Sequence, residues 1–196
     1  MHLRLASALL LVLGACATSA PATAPRTGTP LSAEDRLFFD DGVDFVGDPA
    51  VLEGRWRDDW SNELDSRVTD ADIVSYVRVR ALRTDVDLER RTTYRLLLEE
   101  QESILGELPE DLALASVEGD GGYITIEGNE DRILDEEFVL FLKWEQPSPD
   151  APVRARWHLS PLTEEVTARV EYLAERRRGV EREQPERRIH VHRPED

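Results

Sequence analysis

Cysteine is nearly absent from this chain: Cys16 is the only one in 196 residues. A single thiol cannot close an internal disulfide, and it cannot supply the several Cys or His ligands of a structural zinc site. Lysine is equally scarce, with Lys143 alone, and acidic residues dominate. The chain holds 24 Lys plus Arg against 41 Asp plus Glu, a formal charge of −17. Such a surface repels phosphate backbones and anionic head groups, which argues against nucleic acid as a partner. Long apolar runs are missing too. The longest, residues 5–13, has about nine residues where a bilayer-spanning helix needs about 20. The catalytic signatures that can be read without a structure are also lacking. There is no Walker loop, no Gly-x-Gly-x-x-Gly and no Gly-x-Ser-x-Gly. No cofactor and no enzyme activity are implied.

What is present begins at the N-terminus. Arg4 supplies a short positive region, "LASALLLVL" an apolar core, and Gly14 and Ala15 the small residues that precede a cut. Residues 1–15 therefore have the three parts of a signal peptide. The segment ends in "LGAC", Leu13, Gly14, Ala15 and Cys16, which resembles the lipobox of bacterial lipoproteins. That resemblance implies diacylglycerol on the Cys16 thiol, cleavage just before it, and palmitate incorporation. Two or three acyl chains would then hold the chain to a membrane, since one alone binds only marginally. In lipoproteins an Asp after the cysteine tends to retain the protein in the inner membrane. Ala17 stands there, so the resemblance points to the cell envelope and its outer membrane. Residues 16–30, rich in Ala, Thr, Ser and Pro, cannot bury enough surface to order themselves and read as a tether.

Apolar periodicity starts near residue 31, and 40% hydrophobic content allows a core. Residues 31–180 read as one globular domain, and residues 181–196 as a charged mobile tail. Ser32 can cap a short helix around Leu37, with a turn at Asp41-Gly42. Asp48 and Pro49 are a favourable helix start. After them Leu52, Trp56, Trp60 and Leu64 recur every four residues through 47–68. That stripe reads as core anchors, with a tryptophan ligand platform as the alternative.

The period then changes to two. Strands are expected at 71–83, 92–101, 111–118, 136–146 and 152–160, each with apolar residues on one parity. In the last, Trp157 and Leu159 face inward, while Arg154, Arg156 and His158 face solvent. A closing helix over 160–179 has Glu164 and Glu165 at its positive end and Arg176 to Arg178 at its negative end, before Gly179. The expected fold class is α+β, mainly β: a small antiparallel barrel or curled sheet of about five strands with flanking N- and C-terminal helices. The order "ADIVSYVRV", "ILGELPEDLALASVEG", "DEEFVLFLKW" resembles netrin-like OB barrels. The resemblance covers residues 70–146, bears on topology alone, and implies no functional residue.

Candidate chemistry is sparse. His190 and His192 share a face if extended and are weak metal candidates, opposed by arginines on both sides. The acidic glycine stretches do not match the EF-hand spacing. Two functions remain open. One is a lipid-anchored scaffold that binds another envelope protein through exposed aromatic residues such as Trp60, Tyr76 or Trp144. The other is a small-molecule or ion-binding lipoprotein with its ligand in the barrel mouth or beside Trp157 and His158.

Overall fold

A computed structural model describes residues 27–187 of the chain, and the side chains as far as residue 180. Among these residues a short helix α1 (Asp35–Phe38) precedes strand β1 (Gly42–Val43), a 3-10 turn (Pro49–Val51) and helix α2 (Arg55–Asp70). Strands β2 (Ile73–Val86), β3 (Thr92–Leu105) and β4 (Ala113–Val117) lead to helix α3 (Tyr123–Ile126) and a second 3-10 turn (Glu130–Arg132). Strands β5 (Glu137–Glu145) and β6 (Arg154–Pro161) and helix α4 (Glu164–Arg187) complete the domain. The expected signal peptide (1–15), most of the expected tether (16–30) and the end of the expected tail (181–196) lie outside the described residues.

The fold is α+β and mainly sheet. The strands form one curled half-barrel in the order β1-β6-β5-β2-β3-β4. All neighbours are antiparallel except β1, which runs parallel to β6 through Gly42↔His158 and Val43↔Leu159. The five expected strands are present, and β1, placed where a turn was expected, makes six. Register shifts between β2 and β3 mark bulges, which bend a strand and increase its twist. The curl is bridged by Trp157, whose indole N–H reaches from β6 to the Ala115 carbonyl of β4 at 3.0 Å.

Both faces of the sheet are buried along β5, β6 and the first half of β2, so side-chain alternation there separates two cores rather than core from solvent, whereas the far half of β2 and the outward positions of β3 are exposed. The concave face holds Val77, Leu96, Leu114, Leu140, Leu142, Trp157 and Leu159, with Tyr123, Ile126 and Ile133 plugging its open side. On the convex face Val74, Tyr76, Val139 and Phe141 lie under Leu64 and Val68 of α2 and Val166 and Val170 of α4. This corrects the expectation for β6. Arg156 is 7% exposed, His158 5%, and Ser160 is fully buried, because the helical layer covers the side of β6 expected to meet water.

Helix ends follow local chemistry. Ser32 Oγ accepts from the Asp35 N–H while Asp35 accepts from the Ser32 N–H, a reciprocal cap that starts α1. Asp48 caps as expected, accepting from the Ala50 N–H at 2.7 Å, but the helix it starts is only the 3-10 turn. The chain leaves helix at Leu52 and re-enters it after Gly54, whose φ of +56° lies in the left-handed region that favours glycine. The expected continuous helix over 47–68 is thus broken, and Leu52 no longer stacks on Trp56. At the other terminus α4 runs through Gly179 to Arg187. Thr29, within the segment expected to be a tether, is held at the end of β5, exchanging backbone hydrogen bonds with Trp144 and Gln146. Among the described residues no helix is long and apolar enough to cross a membrane.

Candidate binding groove and the buried polar cluster

The break at Gly54 has a consequence at the surface. Leu52 on one side and Trp56 and Trp60 on the first turns of α2 become walls of a groove of about 420 Å³. Phe38 and Val46 complete the apolar lining, and Asp59, Asn62 and Glu63 supply its polar groups. Trp56 is 62% exposed, although helical spacing marked it as a core anchor. Leu37 and Val51, each next in sequence to a lining residue, are 72% and 71% exposed. Trp60 is fixed from behind, its indole N–H donating to Asp44 Oδ2 at 2.8 Å. Glu63 accepts from Arg67 at 3.1 Å, whereas Asp59 forms no ion pair or hydrogen bond among the described residues.

The second polar assembly lies under the helical layer. Asp40 Oδ1 meets His158 Nδ1 at 2.9 Å. Asp41, 3% exposed and with φ of +60°, accepts from the Trp157 N–H and pairs with Arg156 at 2.5 Å. Arg156 also approaches Asp120 at 3.5 Å. Arg67, buried as well, donates to the Phe38 carbonyl. These contacts fasten the α1–β1 segment to β6. The backbone beside them is equally tight, since a Cβ on Gly42 would stand 2.5 Å from the Gly122 Cα.

Burial sets the ionisation of this cluster. It pushes the His158 imidazole below its ordinary value, helped by the Arg67 charge and opposed by Asp40. Burial also acts to raise Asp40, but the His158 contact and the Arg67 charge outweigh it and leave that carboxyl below the usual range. At Asp41 burial wins over the attraction of Arg156 and pushes the carboxyl up to about 8. His158 Nε2, Arg156 Nε and Ser160 Oγ are buried without a hydrogen-bond partner. They face the packed interior, and none of these residues lines the groove.

The residues nominated from sequence do not converge. Trp60 alone lines the groove. Tyr76 is buried beneath α4, its hydroxyl donating to Glu171 at 3.2 Å. Trp144 packs half-buried against the concave core, and Trp157 is fully inside it. His158 sits in the buried cluster. Leu13, Gly14, Ala15, Cys16, His190 and His192 lie outside the described residues. Sequence reading missed Trp56 as a surface residue and missed the pairs Asp40–His158 and Asp41–Arg156. Gly54 was the available signal for the first; pairs more than a hundred residues apart leave no local signal. Among the described residues, no group of three or more His, Cys, Asp or Glu is placed to hold a metal ion. No family model matches the chain, and no curated protein or solved structure matches it significantly.

Proposed function

We propose that this chain is a bacterial lipoprotein of the cell envelope, acylated at Cys16 after removal of residues 1–15 and held at the outer membrane. Its domain acts there as a non-enzymatic module that binds another envelope protein. The observation that carries the binding reading is the groove: two tryptophans, Phe38, Val46 and Leu52 around a concave space of about 420 Å³, with Trp56 largely in water. Aromatic residues in apolar concavities with polar rims are the common anchors of protein interfaces. The lipobox supports the anchor, and the OB-like half-barrel supplies a rigid support with α2 packed on its convex face. A small organic ligand is the second reading, favoured by a groove volume inside the range of about 300–1,000 Å³ found for ligand sites.

The test is benzoylphenylalanine, a photo-crosslinking residue that keeps an aromatic ring, placed at position 56 in living cells, with the same residue at position 172 on the exposed face of α4 as control. The expected result is one envelope protein joined from position 56, not from 172, and lost in Trp60→Ala. Adducts that are equal at both positions, or absent from both, would end the protein-binding reading. The anchor is tested separately. Cys16→Ser should abolish palmitate incorporation, and continued labelling would overturn acylation at that residue.

A further inference from the structure

The groove resembles the sites that proteins build for organic cations, and we propose that it takes a lysine or arginine side chain from a basic, partly apolar segment of its partner. This names the chemistry of the partner and rests on the groove being the binding surface.

Three aromatic rings line the space, Phe38, Trp56 and Trp60. Aromatic faces carry the negative side of the ring quadrupole and attract cations, tryptophan most strongly. One guanidinium already uses this property, with Arg55 lying 5.2 Å from the Trp56 ring centroid. The carboxylates have different roles. Glu63 is engaged by Arg67, so its charge is met within the protein. Asp59 lines the same groove, is exposed, and forms no ion pair or hydrogen bond among the described residues. An unmatched negative charge among aromatic walls suits a cation and would repel a carboxylate or a phosphate.

Two further features favour a polypeptide segment over a free cation. The apolar lining continues past the aromatic rings to Val46 and Leu52, so the occupant carries apolar side chains beside its charge. Trp60 is held by its hydrogen bond to Asp44, so one wall is formed before any partner arrives. The long-range field agrees with the local one: at −17 the chain attracts basic surfaces and speeds their encounter.

The experiment uses the full chain carrying Cys16→Ser in detergent micelles, titrated with acetyl-Ala-Leu-Arg-Leu-Ala-amide. The same peptide with Gln or Glu at its centre serves for comparison, and the indole N–H signals of the four tryptophans are followed by NMR. The Arg peptide should shift Trp56 and Trp60 saturably, about fivefold more tightly than the Gln peptide, and leave Trp144 and Trp157 unmoved. The Glu peptide should not bind. In Asp59→Asn, an exposed substitution that leaves the fold intact, the advantage of Arg over Gln should shrink and become less sensitive to salt. Equal binding of the Arg and Gln peptides, or an unchanged ratio in Asp59→Asn, would overturn the cationic preference while leaving the groove as a binding surface. No response to any peptide would also overturn it, and crosslinking from position 56 would then decide the groove on its own.

Discussion

Two regions of this domain concentrate polar and aromatic side chains, and they differ in access. The cluster on β6 holds histidine, aspartates, arginines and a serine, the residue types that most often perform chemistry. Asp41, Arg67, Arg156, His158 and Ser160 are buried and Asp40 is half-buried, and their contacts are spent on holding the α1–β1 segment against the sheet. The groove beside α2 has no histidine and no nucleophile, but water reaches its walls. Residue type points to the first region, and exposure to the second. The difference teaches that a buried ionic group is evidence about the fold before it is evidence about function.

The comparison breaks most directly at Arg156. Above pH 8, where the paired Asp41 is ionised, Arg156→Met leaves that carboxylate buried without its cation, and stability should fall by about 3–5 kcal/mol if the cluster is structural. Adding Asp41→Asn removes the orphaned charge and keeps a residue tolerant of positive φ, so the double variant should recover part of the loss. Urea denaturation of the two variants measures both steps. A loss under about 1 kcal/mol for the single variant would mean that the cluster does not hold the fold.

Acid and base should also probe the buried region, because His158 and Asp41 change their proton affinity on folding. The folded His158 titrates below its unfolded value near 6.5. In the interval between, the unfolded chain binds more protons, so stability is complete above about pH 6.5 and falls as pH drops toward the folded pKa. Asp41 works in the opposite sense. Its pKa rises from 3.8 to about 8, so the folded state binds the extra proton in that window. Stability from this group is present below about pH 4 and is lost as pH climbs through 8. His158→Asn should flatten the acid limb and Asp41→Asn the limb between pH 6.5 and 8, both read from melting temperature against pH. Unchanged profiles in both variants would mean that neither group is buried as described.

Much of the sheet was legible because period-two alternation survives whatever covers the second face. Strands β2, β3, β5 and β6 sit within a few residues of their apolar runs, and the curl follows from a small number of strands with long arms. What covers the convex face was not legible. Arg156 and His158 on alternate positions have the pattern of a solvated face, and only the distant Asp40 and Asp41 make their burial tolerable. The two-residue β1 is too short for periodicity and is created by pairing with β6. The groove was half legible: Trp60 was named, but the stripe through Leu52 and Trp56 assumed an unbroken helix. A glycine at position 54, free to take a left-handed conformation, turned one helical face into two walls.

The groove itself should be sensitive to small changes in geometry. Trp60→Phe keeps an aromatic wall and removes the indole N–H that Asp44 accepts. A hydrogen bond to a charged, partly exposed acceptor contributes about 1 kcal/mol, so a modest loss in urea stability should accompany weaker crosslinking from position 56. A stable variant that crosslinks as well as the parent would show that the pre-formed wall is unnecessary.

The smallest effect on stability belongs to Trp56, and it carries the sharpest form of the comparison. With 62% of its surface already in water, Trp56→Ala exposes little new apolar area and leaves no cavity in either core. Its cost should stay within about 0.5 kcal/mol, a shift of roughly 1–2 °C in Tm for a domain of this size. A binding anchor behaves differently from a core anchor at this point: the melting curve stays in place while partner capture, probed by a crosslinker moved to Asn62, is lost. If Trp56→Ala unfolds the domain as a buried tryptophan would, by about 3–5 kcal/mol, the ring is a core anchor after all. If both the melting curve and the capture are unchanged, partner binding does not use this ring, and the rest of the exposed surface is open to the partner.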